Sequence, residues 1–127
     1  MMMADAGGRR VLVVEDDDRV RGALCDYLVE LGFTAEPVAN GNEAMARFER
    51  DEFRLVVADY KMPGLSGLDV VKQVRARDPE VPVLIVSGYV REFAWEARAL
   101  GIPVLPKPVD FGVFAQTVEG ITSESGA

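Results

Sequence analysis

Leu55-Val56-Val57-Ala58-Asp59-Tyr60-Lys61-Met62-Pro63-Gly64 is an apolar run that ends in one carboxylate and breaks at once into a turn. A short, Val-rich run bounded by turn residues predicts a buried strand. Met62-Pro63-Gly64 cannot extend it, because proline has no N–H to give to a sheet ladder. Asp59 therefore closes the strand at its carboxyl end. Taken alone, an acid in such a place is an ordinary turn former; its meaning depends on what the rest of the chain brings beside it.

The same pattern recurs along the chain. Arg10-Val11-Leu12-Val13-Val14 is a second β-branched run that ends in acid, Glu15-Asp16-Asp17-Asp18. Asp17 or Asp18 suits the cap of a following helix, where a carboxylate accepts the orphan amides of the first turn. Val20, Leu24, Tyr27, Leu28 and Leu31 carry helical spacing up to Gly32. Phe33 to Val38 predicts another strand, Asn40-Gly41-Asn42 a turn, and Ala44, Met45 and Phe48 the apolar face of a second helix. Leu68, Val71 and Val74 mark a third helix, closed by Arg77-Asp78-Pro79. Val81 to Val86 predicts the fourth strand, ending in Ser87-Gly88. Arg91 to Leu100 predicts a shorter helix with Phe93, Ala97 and Leu100 inward, and with Trp95 either packed or part of a partner surface. Ile102 to Leu105 is the fifth predicted strand, closed by Pro106-Lys107-Pro108. Phe111, Phe114, Val118 and Ile121 build a last helix. Residues 9–121 are thus expected to form one domain, with 1–8 and 122–127 as flexible tails.

Bulk properties exclude several function classes. A net charge of -7 lacks the basic footprint of a nucleic-acid-binding domain. With no histidine there is no Ser-His or Cys-His nucleophile pair, no His-ligated zinc and no phosphohistidine on this chain. The single cysteine, Cys25, excludes an internal disulfide and reads as a small apolar helix residue. No run approaches the ~18 apolar residues of a membrane span, and the expected location is cytoplasmic.

Strands alternating with helices over short connections predict an α/β parallel sheet covered on both faces. Its strands all point one way, so Glu15/Asp16, Asp59, Ser87 and Lys107 lie along one edge, where open sheets of this kind bind ligands. The pieces Val-Leu-Val-Val-Glu15-Asp16-Asp, Asp59-Tyr-Lys-Met-Pro-Gly-Leu-Ser-Gly, Val-Ser87-Gly-Tyr and Pro-Lys107-Pro, in this order, resemble a two-component response-regulator receiver domain across roughly Arg9 to Glu119. The resemblance implies a single doubly wound (βα)5 flavodoxin-like fold of strand order 2-1-3-4-5, and a cis peptide bond at Lys107-Pro108.

With that order the first and third strands are neighbours, and Glu15, Asp16 and Asp59 share a small volume. Crowded carboxylates raise one another's pKa unless a cation offsets them. Mg2+ suits an all-oxygen donor set: Asp16 and Asp59 as direct ligands, the main-chain oxygen of Lys61 as a third, and Glu15 acting mainly through water. Phosphoryl transfer spreads negative charge over three equatorial oxygens. Mg2+, the Lys107 ammonium, and Ser87 with the Gly88 amide would take one each, and Asp59 would attack.

The resemblance implies a phospho-accepting signalling domain, not a turnover enzyme. It implies a histidine kinase or histidine phosphotransfer protein as donor and an unidentified downstream protein as target, with the chain a monomer or a phosphorylation-dependent dimer. Two alternatives differ in class: a receiver-shaped interaction module that does not react, and an aspartate-nucleophile phosphohydrolase. The second would need an acid two positions after Asp59, where Lys61 stands. Receivers often carry an aromatic residue three positions before the fifth-strand lysine. Here that residue is Val104, which has no ring to swing between buried and exposed positions.

Overall fold

The computed structural model describes residues 9–126. Strands β1 (Arg10–Val14), β2 (Thr34–Val38), β3 (Leu55–Asp59), β4 (Val83–Ser87) and β5 (Val104–Pro106) alternate with helices α1 (Asp18–Glu30), α2 (Gly41–Arg50), α3 (Gly67–Arg77), α4 (Val90–Leu100) and α5 (Phe111–Gly126). The sheet is parallel throughout, in the order β2-β1-β3-β4-β5. The predicted doubly wound α/β fold is the one observed. The Lys107-Pro108 peptide is cis.

The central strands are buried on both faces, which explains their continuous apolar runs. Side chains of a strand alternate between faces, and two cores result. Leu12, Val14, Val56, Ala58, Val83 and Ile85 pack under α2, α3 and Ala97 of α4. Val11, Val13, Leu55, Val57, Leu84 and Val86 pack under Leu24 and Leu28 of α1 and Phe114 and Val118 of α5. Cys25 is half-buried in the second layer. Among the described residues no helix is long and apolar enough to cross a membrane.

The predicted strand starts need correction for one shared reason. Phe33, Val81 and Ile102 are buried and apolar, but each amide is taken by the preceding helix or turn: Phe33 N donates to Leu28 O, Val81 N to Asp78 O and Ile102 N to Ala97 O. The ladders therefore begin later, at Thr34, Val83 and Val104. Gly101 supports this at α4, with φ 68 in the left-handed region that ends helices. The last helix was expected to fray from Thr122, yet α5 runs on to Gly126. Thr122 is buried, its hydroxyl donates to Val118 O at 2.7 Å, and its carbonyl accepts from Arg54 Nη2 at 2.8 Å. Met1 to Gly8, expected as a tail, and the side chain of Phe93, expected inward, lie outside the described residues. Trp95 stands 87% exposed on α4.

Candidate functional site at the carboxyl edge of the sheet

Glu15, Asp16, Asp59, Ser87 and Lys107 sit at or just past the ends of their strands, and Lys61 lies on the loop after Asp59. Main-chain bonds lock those ends together: Glu15 N donates to Val38 O at 3.1 Å, Tyr60 N to Val86 O at 3.3 Å, and Lys107 N to Ser87 O at 2.9 Å. Asp17 is the N-cap of α1, accepting from Arg19 N and Val20 N. The Val20 amide is the main cause holding its carboxyl below the ordinary range. Asp17 thus serves as a cap, and the two acids before it are left to face Asp59.

Glu15, Asp16 and Asp59 each bring a carboxylate oxygen within 4.8 Å of the others. Asp16 is exposed, Asp59 is 5% exposed, and Glu15 is fully buried. Lys107 Nζ lies 2.8 Å from Glu15 Oε1 and 3.2 Å from Asp59 Oδ1. Burial pushes Glu15 up to about 7, against the Lys107 ammonium and the Asp17 amide, which pull it down. Burial also raises Asp59; Lys107 opposes this, and the Asp16 charge adds to it. Burial would lower the Lys107 ammonium, but the bond to Glu15 and the Asp59 charge outweigh it, and its pKa rises. One ammonium is thus set against three carboxylates. Glu15 Oε1 is wholly buried and is met by the Lys107 ammonium at 2.8 Å. A hard cation fits this oxygen donor set.

Ser87 closes β4 fully buried, and its Oγ accepts from Tyr89 N at 2.8 Å. That contact uses an oxygen lone pair and leaves the hydroxyl proton to donate elsewhere. Gly88 follows it, exposed. Lys61 is exposed on the loop after Asp59; its ammonium lies 3.4 Å from Glu92 Oε2 and 4.2 Å from the centre of the Tyr89 ring. Val104 is half-buried against the core shared with α3 and α4.

Two contributors were not foreseen. Arg21 reaches back from α1, its Nη1 donating to the main-chain oxygen of Glu15 at 2.8 Å and its Nη2 pairing with Asp18. The three-residue spacing of Asp18 and Arg21 signals their pair, but nothing local signals the bond to Glu15. Gly67 opens α3 where a Cβ would press into Asp59 O, and would lie 2.9 Å from Asp59 C and from Tyr60 Cα. Its amide donates to Tyr60 O at 2.7 Å. The helix can approach the end of β3 only because this residue has no side chain.

Comparison with known proteins identifies the family. The pattern of the family described as response regulator receiver domain matches residues 11–119. Regulatory protein VanRB of Enterococcus faecalis is 28% identical over 124 residues, 93% of this chain and 54% of VanRB. Sensory transduction protein RegX3 of Mycolicibacterium smegmatis is 44% identical over 78 residues, 61% of this chain and 34% of RegX3. The chain therefore spans about half, or less, of these relatives. Among solved structures, the response regulator TrrA of Thermotoga maritima, in complex with Mg(2+)-BeF, superposes with a TM-score of 0.82 at 26% identity. That match covers 89% of this chain and 98% of TrrA. With the family pattern running from β1 into α5, the chain belongs to the response regulator receiver domains of two-component systems.

Proposed function

We propose that Asp59 accepts a phosphoryl group from a phosphohistidine on a partner histidine kinase or histidine phosphotransfer protein. The observation that carries this is the grouping of the buried Asp59 carboxylate with Glu15, Asp16 and the Lys107 ammonium at one sheet edge. An ionised Asp59 oxygen attacks phosphorus; the new O–P bond forms as the N–P bond to the donor imidazole breaks, in line with it. Asp16 and Asp59, with the main-chain oxygen of Lys61 and the support of Glu15, would hold Mg2+. When bound, Mg2+ neutralises charge on the phosphoryl oxygens and favours the ionised nucleophile. TrrA, similar over nearly its whole length, was solved with Mg(2+)-BeF, which supports the choice of metal.

Lys107, already within 3.2 Å of an Asp59 oxygen, is in reach of an oxygen on a group carried there. Ser87, oriented by the Tyr89 amide, donates to another, with the Gly88 amide beside it. The product is a signalling state and not a turnover intermediate. It changes the surface around β4, β5 and α5, presented to a downstream protein in the cytoplasm by a monomer or a phosphorylation-dependent dimer. No ring at position 104 takes part in that change, because that residue is valine.

The test is incubation with acetyl phosphate and Mg2+ followed by intact-mass measurement. The parent should gain one phosphoryl group, lost on chelation of the metal beforehand, and Asp59→Asn should gain none. Equal uptake by Asp59→Asn would overturn the assignment.

A further inference from the structure

We propose that Tyr27, on the third turn of α1, is a positioning residue for Lys107. The proposal rests on the reading of Lys107 as the cation that meets the phosphoryl group. Lys107 lies on the connection between β5 and α5, and its ammonium must stay aimed at Glu15 and Asp59 while its main chain crosses the open edge of the sheet. At the near end, Lys107 N donates to Ser87 O at 2.9 Å. At the far end, Asp110 caps α5, its Oδ2 accepting from Val113 N at 3.0 Å and its carbonyl from Phe114 N at 2.9 Å. Between these ends, Pro108 has no amide hydrogen to contribute.

The middle of the connection is held from α1. The Tyr27 hydroxyl donates to Val109 O at 3.1 Å, across 82 positions of sequence. That carbonyl is two residues beyond Lys107. Val109 is half-buried against the core under α1 and α5, while Pro108 is exposed. A mostly apolar cavity of about 220 Å³ lies between α1 and the connection, with Val20, Leu24, Tyr27, Lys107, Pro108 and Val109 among its walls. The cavity opens to solvent, so packing meets the connection from one side and the hydrogen bond adds a directional restraint. The ring itself is fixed by Phe111, edge-on with centres 5.1 Å apart, and by Phe114 at 5.6 Å. Both belong to α5, so Tyr27 is clamped to the helix that follows the connection it restrains. The hydroxyl is therefore presented from a rigid ring.

Tyr27→Phe removes the hydroxyl and keeps the ring contacts. Without the bond, Lys107 should spend less time against Asp59 and Glu15, with two effects of opposite sign. Phosphorylation at saturating Mg2+ should slow by roughly fivefold, the size of one ordinary hydrogen bond. Mg2+ itself should bind tighter by about twofold, because a competing ammonium is less often near the carboxylates. Lys107→Met should show the same two signs at larger size.

The experiment measures Mg2+ affinity by calorimetry, phosphorylation rate with acetyl phosphate, and thermal midpoint, for the parent, Tyr27→Phe and Lys107→Met. Slower transfer together with tighter Mg2+ in Tyr27→Phe supports the proposal. Unchanged values, or transfer and Mg2+ binding both weakened alongside a lowered midpoint, overturn it, since simple loosening of the fold does not tighten a metal site. If the parent takes up no phosphoryl group, the proposed function fails, and the Mg2+ comparison still decides whether Tyr27 holds Lys107 in place.

Discussion

Ionising Glu15 in metal-free protein should destabilise the fold, and the depth of that carboxyl sets the size of the effect. The side chain is fully shielded from solvent, and burial carries it from an ordinary 4.5 to about 7 despite the neighbouring Lys107. A carboxyl whose pKa is higher in the folded state binds its proton more tightly there. Its stabilising contribution is complete below 4.5 and is lost as pH rises through about 7. Asp59, raised chiefly by burial, moves the same way, while Lys107, raised from 10.5, keeps its charge throughout this window. For Glu15 the gap between 4.5 and about 7, at ~1.36 kcal/mol per pH unit, sets a ceiling of about 3 kcal/mol. In a domain of this size that is a melting shift of order 10 °C. The assay is thermal unfolding in chelator at about pH 5 and about pH 8, comparing the parent with Glu15→Gln so that the other carboxylates cancel. The two proteins should melt together at the lower pH, and Glu15→Gln should melt higher at the upper one. Saturating Mg2+ should then narrow or reverse the gap, because the ionised carboxyl gains a cation. A parent that matches or exceeds Glu15→Gln at the upper pH in chelator would refute the reasoning.

Gly67→Ala should lower stability by about 1–3 kcal/mol, the usual range for an intruding methyl. Because that methyl meets the backbone of Asp59 and Tyr60, Asp59 phosphorylation should slow by at least about tenfold; a parental rate would show that the end of β3 tolerates the shift. Ser66 and Asp69 form a reciprocal capping box at the start of α3. Ser66→Ala should therefore cost about 1 kcal/mol in urea unfolding, and Ser66→Asp much less. Trp95 is the sole tryptophan and stands 87% exposed, so acrylamide should quench its fluorescence nearly as well as that of free indole. Strong shielding would show that another surface covers α4.

Much of the fold was legible because the central strands are buried on both faces and so appear as unbroken Val, Leu and Ile runs ending in polar residues. The errors fell where an apolar residue is buried for a reason other than sheet pairing. Phe33, Val81 and Ile102 look like strand starts, yet their amides complete the preceding helix or turn. The end of α5 was hidden too. Gly120, Ser123 and Ser125 are poor helix formers, and the Arg54 bond that supports Thr122 comes from 68 positions away. The site residues could be named from strand ends, but their different depths could not. Asp16 is exposed while Glu15, its neighbour, is fully buried, because the depth of each acid past the end of β1 is set by the elements packed around it and not by the run of acids itself.

By itself, the sequence determined which side chains close each strand, and therefore which acids, hydroxyl and ammonium share one edge. That follows from a period and a punctuation that are local properties of the chain. Tertiary structure alone decided that Lys107 meets both Glu15 and Asp59, that Gly67 lets α3 rest against the end of β3, and that Tyr27 reaches Val109. These contacts join residues far apart in the chain, and the packing of helices on the two faces of the sheet sets their distances.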